Sequence, residues 1–163
     1  MSASATLRER AWDAAAQVVD PEIPVLSIAD LGVLREVRVM GETVEVVITP
    51  TYSGCPAMRM IELEIETALR AVGIDKLRIR TVLSPAWTTD WLSDAGRRKL
   101  AQYGIAPPNG APSRRALFGA DVVACPRCGS EQTERLAEFA STSCKALYRC
   151  RACAEPFDYF KCH

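Results

Sequence analysis

The sequence predicts an α+β fold, in which a small domain of helices packed on a mainly antiparallel sheet is followed by a smaller cysteine-rich domain. Two observations carry this prediction. Residues 1–105 alternate between segments of helical and of strand periodicity, and six of the seven cysteines lie after residue 124. Residues 106–121 are rich in Pro, Gly and Ser, which is typical of a linker. The cysteine-rich domain is therefore assigned to residues 122–163.

The first predicted helix covers residues 4–20, where apolar residues recur on one face. Thr6 and Glu9, three residues apart, fit a capping box at its start. Pro21 is expected to end it, because the residue before a proline is disfavoured in a helix.

Two strand-like segments follow, "VLREVRVM" and "TVEVVITP", with only two residues between them. The second alternates apolar and polar side chains in the way a half-buried strand does. The short gap predicts a hairpin.

A second helix is predicted from Pro56, which suits a first helical position, to Gly73. The segment "KLRIRTVL" predicts a third strand. A last helix is expected to begin at Thr88 or Thr89 and to end near Gly104.

Composition and net charge indicate which kinds of molecule the chain is expected to bind. Hydrophobic residues make up 48% and charged residues 25% of the chain, and Lys plus Arg equals Asp plus Glu at 20 each. This balance gives no reason to expect nucleic acid or a membrane as a partner. The first residues, "MSASATLRER", do not resemble a signal peptide, so we expect a cytoplasmic protein with reduced thiols.

The C-terminal region carries two C-x-x-C pairs, which predict a zinc ribbon. The alternative is a disordered tail with two reduced thiol pairs, and iron would also suit four sulfur ligands. Metal binding would supply the folding free energy that so short a segment lacks. The predicted ligands are Cys125, Cys128, Cys150 and Cys153.

Three further residues in this region have no assigned role. We interpret Cys144 as a small buried hydrophobic residue, and Cys162 and His163 as a frayed terminus. The alternative is a second metal or cluster site completed by these residues.

Cys55 stands apart from the other cysteines, where a strand gives way to a helix in "ITPTYSGCPAM". Such a position favours either a buried core thiol or a functional thiolate whose pKa is lowered by the helix N-terminus. His163 is the only histidine in the chain, which argues against a nucleophile with a histidine base. Asp20 and Glu22 are interpreted as turn-forming residues, with acid/base chemistry as the alternative.

The segments "DPEIPVLSIADLGVLREVRV" and "VVITPTYSGCPAM" resemble the SufT-like domain of iron–sulfur cluster assembly factors. With "SPAWTTDWLSDAGRRKLAQYGIAPP" and the cysteine-rich tail, nearly the whole chain is similar to the PaaD family of phenylacetyl-CoA epoxidase subunits, also called PaaJ. The resemblance implies a small α+β domain in which Cys55 handles a transient iron–sulfur cluster, with Asp20 and Glu22 close by.

The same resemblance implies an accessory subunit without catalytic residues of its own, acting in aerobic phenylacetate degradation. Its partners would be the reductase and oxygenase subunits of the epoxidase. It would deliver or repair the cluster of the reductase, or iron of the di-iron oxygenase, and a homodimer would let two copies of Cys55 share a cluster. The alternative is an adaptor whose zinc ribbon docks epoxidase components.

Overall fold

The computed structural model describes residues 3–108 and 122–161. The chain divides into two compact units, Met1–Trp87 and Thr88–His163. Among the helices that the structure describes, none has the length and apolar character needed to cross a membrane.

The first unit contains two helices and three strands. In chain order they are α1 (Ala3–Ala16), β1 (Leu34–Met40), β2 (Thr43–Ile48), α2 (Met58–Ala71) and β3 (Leu77–Thr81). The sheet order is β1-β2-β3. The two helices pack on each other, α1 also packs on β1, and α2 also packs on β3.

The α+β class is confirmed, but the sheet of this unit is mixed rather than mainly antiparallel. Strands β1 and β2 form the predicted antiparallel hairpin, with Val37 opposite Val46, whereas β2 and β3 run parallel. The reason is the connection, because a strand that follows a crossover helix such as α2 returns in the same direction as the first strand.

The buried residues of β2 and α2 form the core of this unit. Strand β2 is the middle strand and is buried from its second residue onward. Helix α2 buries Ile61, Ile65 and Leu69, which recur every four residues on one face. Gly73, with φ of 79°, ends the helix in the left-handed conformation that glycine adopts without strain.

Two predicted helix starts differ from the structure. Because α1 begins at Ala3, Thr6 and Glu9 lie inside the helix and form no capping box at its start. Helix α2 begins at Met58 with Ala57 as its N-cap residue, so Pro56 precedes it. Helix α1 also ends at Ala16, four residues earlier than predicted.

The second unit begins with a short 3₁₀ helix, Thr89–Trp91, and helix α3 (Asp94–Tyr103). Ser93, rather than Thr88 or Thr89, is the N-cap of α3, and its hydroxyl accepts from the N–H of Gly96 at 2.9 Å. The predicted single helix is therefore interrupted at the capping serine. Four strands follow: β4 (Ile105–Ala106), β5 (Thr133–Ala137), β6 (Lys145–Cys150) and β7 (Pro156–Phe160).

These four strands form one sheet in the order β4-β7-β6-β5. Strands β5, β6 and β7 pair antiparallel, and β4 adds to the outside of β7 in parallel. The sequence predicts the end of the first domain at residue 105, whereas the structure divides after Trp87, because β4 belongs to this sheet and α3 packs on β4. The predicted linker at residues 106–121 lies mostly outside the described residues.

Candidate functional site

The four predicted metal ligands come together within the second unit. Their sulfur atoms all lie within 4.8 Å of one another. The Sγ atoms of Cys125 and Cys153 are 3.8 Å apart, and those of Cys128 and Cys150 are 3.6 Å apart. The closest sulfur pairs thus join one C-x-x-C turn to the other.

This spacing fits one tetrahedral metal ion. Four sulfur atoms bonded at about 2.3 Å to a tetrahedral ion lie about 3.8 Å from one another. The observed 3.6 and 3.8 Å separations match that edge length. A donor set of four thiolates suits zinc or iron.

The two C-x-x-C turns are built in the same way. The N–H of Cys125 donates to the carbonyl of Ser130, and the N–H of Cys150 donates to the carbonyl of Glu155, each at 2.9 Å. Gly129 and Ala154, which both follow the second cysteine of their turn, have φ values of 74° and 64°. The left-handed residue turns the chain back so that both cysteines of a pair face the same point.

Backbone donors and neighbouring thiols make the pKa values of the thiols in the cluster differ from one another. The N–H of Cys153 donates to the sulfur of Cys150, at 3.5 Å, and lowers the pKa of Cys150 to about 7. At Cys128 the N–H of Ser130 lowers the pKa, but the nearby thiols and burial outweigh it and raise the pKa to about 12. At Cys153 the N–H of Glu155 lowers the pKa, but burial and neighbouring thiols outweigh it, so this pKa is also raised. Cys150 therefore loses its proton at a lower pH than Cys128 and Cys153 do.

The cluster rests on the core of its own unit. Cys125 and Cys150 are buried, whereas Cys128 and Cys153 are exposed. The Tyr148 ring stacks on Phe157 with centroids 5.9 Å apart and meets Tyr159 edge-on at 5.5 Å. The two buried ligands and these rings belong to one buried cluster, so metal binding and packing support each other.

Cys144 is not part of this four-cysteine cluster. It is 4% exposed, its sulfur lies 3.1 Å from the hydroxyl of Thr142, and its carbonyl accepts from the N–H of Lys161. This environment agrees with a small buried residue. Cys162 and His163 lie outside the described residues.

Cys55 lies in the loop between β2 and α2 and is partly exposed. Its N–H donates to the carbonyl of Tyr52, and its carbonyl accepts from the N–H of Met58, both at 3.3 Å. Gly54, with φ of 80°, allows the chain to turn immediately before it. The sulfur is therefore held by a tight turn that precedes the helix.

The pKa of the Cys55 thiol is raised, which argues against the alternative of a thiolate whose pKa is lowered by the helix N-terminus. Burial is the largest cause, and the negative charges of Glu22 and Asp20 add to it. The N–H of Ala57 and the side chain of Tyr52 bond the sulfur and oppose the rise without overcoming it. The helix N-terminus thus contributes less than desolvation does.

Asp20 organises the turn that brings the carboxylates towards Cys55. Its Oδ1 accepts from the N–H of Glu22 at 2.8 Å and from that of Ile23 at 2.9 Å, and the residue is 8% exposed. Within the first unit, the negative charges of Glu22 and Asp20 therefore act on the sulfur of Cys55.

Sequence reasoning missed Tyr52, whose side chain bonds the sulfur of Cys55. The available signal was its position three residues before Cys55, which is the spacing of a tight turn. It also missed Glu45, a buried carboxylate with Arg38, Arg78 and Arg80 within 3.9 Å. Only the strand register places those three arginines around one glutamate.

Two known families match separate parts of the chain. A family described as "Iron-sulfur cluster assembly protein" matches residues 8–76, and one described as "PaaD zinc beta ribbon domain" matches residues 109–161. A protein of Escherichia coli (strain K12), named as the D subunit of a "Putative 1,2-phenylacetyl-CoA epoxidase", is 49% identical over 151 residues, which cover 93% of this chain and 90% of that protein.

Two solved structures are similar to part of the chain. A domain of unknown function, DUF59, from Bacillus anthracis has a TM-score of 0.55 and 20% identity, over 60% of this chain and 93% of its own, and this likeness concerns the fold alone. A conserved hypothetical protein from Thermotoga maritima has a TM-score of 0.49 and 26% identity, over 57% of this chain and 92% of its own.

Proposed function

The chain belongs to the PaaD family of 1,2-phenylacetyl-CoA epoxidase subunits, and from this membership we propose that it is an accessory maturation factor of the epoxidase system. It delivers or repairs an iron–sulfur cluster of the reductase component, or supplies iron to the di-iron oxygenase. It has no catalytic residues of its own.

The observation that carries this proposal is the surroundings of Cys55. A partly exposed thiol with two carboxylates near it lies in the segment matched by the iron–sulfur assembly family. Thiolate and carboxylate groups are both ligands for iron, and partial exposure leaves room for an acceptor protein to approach. A permanent site would instead surround its metal with ligands from one chain, as the four-cysteine cluster does.

The residues around Cys55 have distinct parts in this scheme. At rest the raised pKa keeps the thiol protonated, which lowers its reactivity towards oxidants. To become a ligand of the cargo, the thiol would release its proton to water, and the negative charges of Glu22 and Asp20 would favour the approach of a positively charged iron ion. The N–H of Ala57 and the side chain of Tyr52 remain to stabilise the thiolate.

One cysteine cannot hold a cluster alone, because clusters are ligated by several thiolates. We therefore propose that two copies of the chain share the cargo in a homodimer, each contributing its Cys55. Size-exclusion chromatography with light scattering, with and without cargo, tests this step.

The four-cysteine cluster is assigned to a structural zinc ion. The residues that would hold it are Cys125, Cys128, Cys150 and Cys153, whose sulfur spacing suits a tetrahedral ion. Zinc would fix the two turns and add folding free energy to the second unit, without redox chemistry of its own.

The proposal is tested by producing the reductase together with the Cys55→Ser variant. We expect the reductase to lose most of its [2Fe–2S] absorption, while the variant keeps its zinc and its far-ultraviolet circular dichroism. The matched control is Cys144→Ser, which removes a buried thiol outside the site and should leave the reductase fully loaded. Full cluster occupancy with Cys55→Ser would refute the carrier function.

An adaptor function is the second candidate. It is favoured by the exposed apolar side chains Leu136 and Phe139 at the edge of the second unit, which are 49% and 60% exposed. An adaptor would bind the epoxidase components through this edge and would not need Cys55. Full activity with Cys55→Ser, combined with loss of complex formation in Leu136→Ser/Phe139→Ser, would favour the adaptor.

A further inference from the structure

Strand β3 forms an edge of the mixed sheet, and no strand among residues 3–108 and 122–161 pairs with its outer side. The carbonyl of Lys76 and the N–H of Val82 both bond β2, each at 2.9 Å. In a parallel strand the backbone N–H and C=O of one residue point to the neighbouring strand on one side, and those of the next residue point to the other side. The backbone groups turned away from β2 therefore belong to Leu77, Ile79 and Thr81.

A groove of about 420 Å³ lies beside this edge, between α2 and β3. Apolar Leu63, Leu77 and Ile79 line it together with two positive and two negative side chains, which are Arg59, Arg70, Glu62 and Glu66. A strand added to β3 would place every second side chain on this side of the sheet. Because the charges of the groove balance, the groove favours uncharged residues at alternate positions of a bound segment.

The opposite side of β3 carries Arg78 and Arg80, whose side chains are 63% and 44% exposed. Both share the buried carboxylate of Glu45, at 3.6 and 3.9 Å. Arg38 also lies 3.9 Å from Glu45, but it is bonded to Glu36 at 2.6 Å. One buried carboxylate therefore balances only one of the two arginines of β3. One positive charge remains at the sheet edge.

We propose that the outer edge of β3 binds an extended segment of a partner protein in which acidic residues alternate with uncharged ones. Main-chain hydrogen bonds would join the segment to Leu77, Ile79 and Thr81. Its uncharged side chains would enter the groove, and its carboxylates would face Arg78 and Arg80. The binding surface is separate from the proposed role of Cys55.

A second copy of the same strand does not meet these requirements. Antiparallel pairing centred on Ile79 would set Arg78 directly opposite Arg80 of the second copy. Like charges in that position destabilise strand pairing. Charge complementarity therefore selects an acidic segment over self-association.

The probe for this proposal is a fluorescent short peptide of alternating glutamate and valine, titrated with the full-length protein in a fluorescence anisotropy assay. We expect it to bind, and a peptide of alternating lysine and valine to bind at least about tenfold more weakly. In ¹⁵N NMR spectra, the amides of Leu77, Ile79 and Thr81 should shift more than those of Arg78 and Arg80, which bond β2.

Three variants separate docking from general loss of structure. Arg78→Gln/Arg80→Gln should weaken binding about tenfold, whereas Arg38→Gln, at the same 3.9 Å from Glu45 as Arg80, should leave it unchanged. Ile79→Pro removes an outward N–H without removing a bond to β2 and should abolish binding.

Several outcomes would overturn the proposal. They are equal binding of the acidic and basic peptides, equal weakening by Arg38→Gln, shifts that map elsewhere, and absence of binding. In the last case the arginines serve instead to keep other strands away from the edge. If Ile79→Pro does not fold, the double arginine variant decides the question. Cys55→Ser should bind the peptide normally, so a failure of the cluster-carrier function leaves this test unaffected.

Discussion

The four-cysteine cluster and the Cys55 turn place the same chemical group in opposite surroundings. In the cluster, four sulfur atoms lie within 4.8 Å of one another, and two of them are buried in a hydrophobic core. At Cys55 one thiol is partly exposed, and burial and carboxylates keep its pKa raised. The first arrangement can complete a tetrahedral shell from one chain, whereas the second needs ligands from elsewhere.

This difference agrees with the two roles proposed above, a permanent metal site and a transient thiol site. A site that completes its own shell binds metal strongly and becomes part of the fold. Under the proposed carrier function, the single thiol of Cys55 would share its cargo with ligands from a second chain and could therefore also release that cargo.

The largest expected effect comes from breaking the cluster. Cys150→Ser should abolish stoichiometric metal binding and the tertiary structure of the ribbon strands, because structural zinc supplies about 10–16 kcal/mol in small zinc-binding peptides. Metal analysis by mass spectrometry and near-ultraviolet circular dichroism of Tyr148 and Tyr159 measure the two effects. Cys55→Ser is the matched control and should retain all of the metal. If Cys150→Ser retained all of its metal, the four-cysteine cluster would not be the metal site, and the contrast with Cys55 would fail.

An intermediate effect is expected from the turn that carries the carboxylates. Asp20→Ala removes an acceptor of two backbone N–H groups and should lower the free energy of unfolding by about 1–3 kcal/mol. Urea unfolding followed by tryptophan fluorescence measures this change. Asp20→Asn keeps an acceptor oxygen and should lose less. Equal losses in both variants would mean that the charge, rather than the turn, matters to stability.

The smallest expected effect is on the acidity of Cys55. Glu22→Gln removes a negative charge that raises the pKa of the thiol, so the pKa should fall and the thiolate fraction at a fixed pH should rise. Iodoacetamide labelling of Cys55, followed by peptide mass spectrometry from pH 7 to 10, should accelerate about two- to fivefold below the pKa.

Tyr52→Phe provides the opposite change at the same sulfur. It removes a hydrogen bond that lowers the pKa, so labelling of Cys55 should become slower. If both variants labelled at the wild-type rate, burial alone would control the thiol, and the carboxylates would have no electrostatic part in the site.

Patterns that depend on neighbouring residues in the chain could be predicted from the sequence. The two C-x-x-C pairs predicted a four-cysteine cluster, since each pair shares one tight turn and only one long-range contact is needed to join them. The buried face of α2 followed from a four-residue repeat. The hairpin of β1 and β2 followed from the two-residue gap between them.

Other features could not be predicted because they depend on contacts between distant segments. The two residues of β4 have no strand periodicity, yet they pair with β7 and place the unit division after Trp87. The pKa of Cys55 is set by burial and by charges more than thirty residues away in the chain, so the local sequence could not decide between a buried thiol and a thiolate of lowered pKa.

The α+β class, the clustering of Cys125, Cys128, Cys150 and Cys153 and the isolation of Cys55 could be read from the sequence. They follow from composition and from short spacings along the chain, which are the same in any fold. The parallel direction of β3, the three arginines around Glu45 and the raised pKa of Cys55 became known only from the folded chain. Desolvation and charge act through space, so they take their values only when the chain is folded.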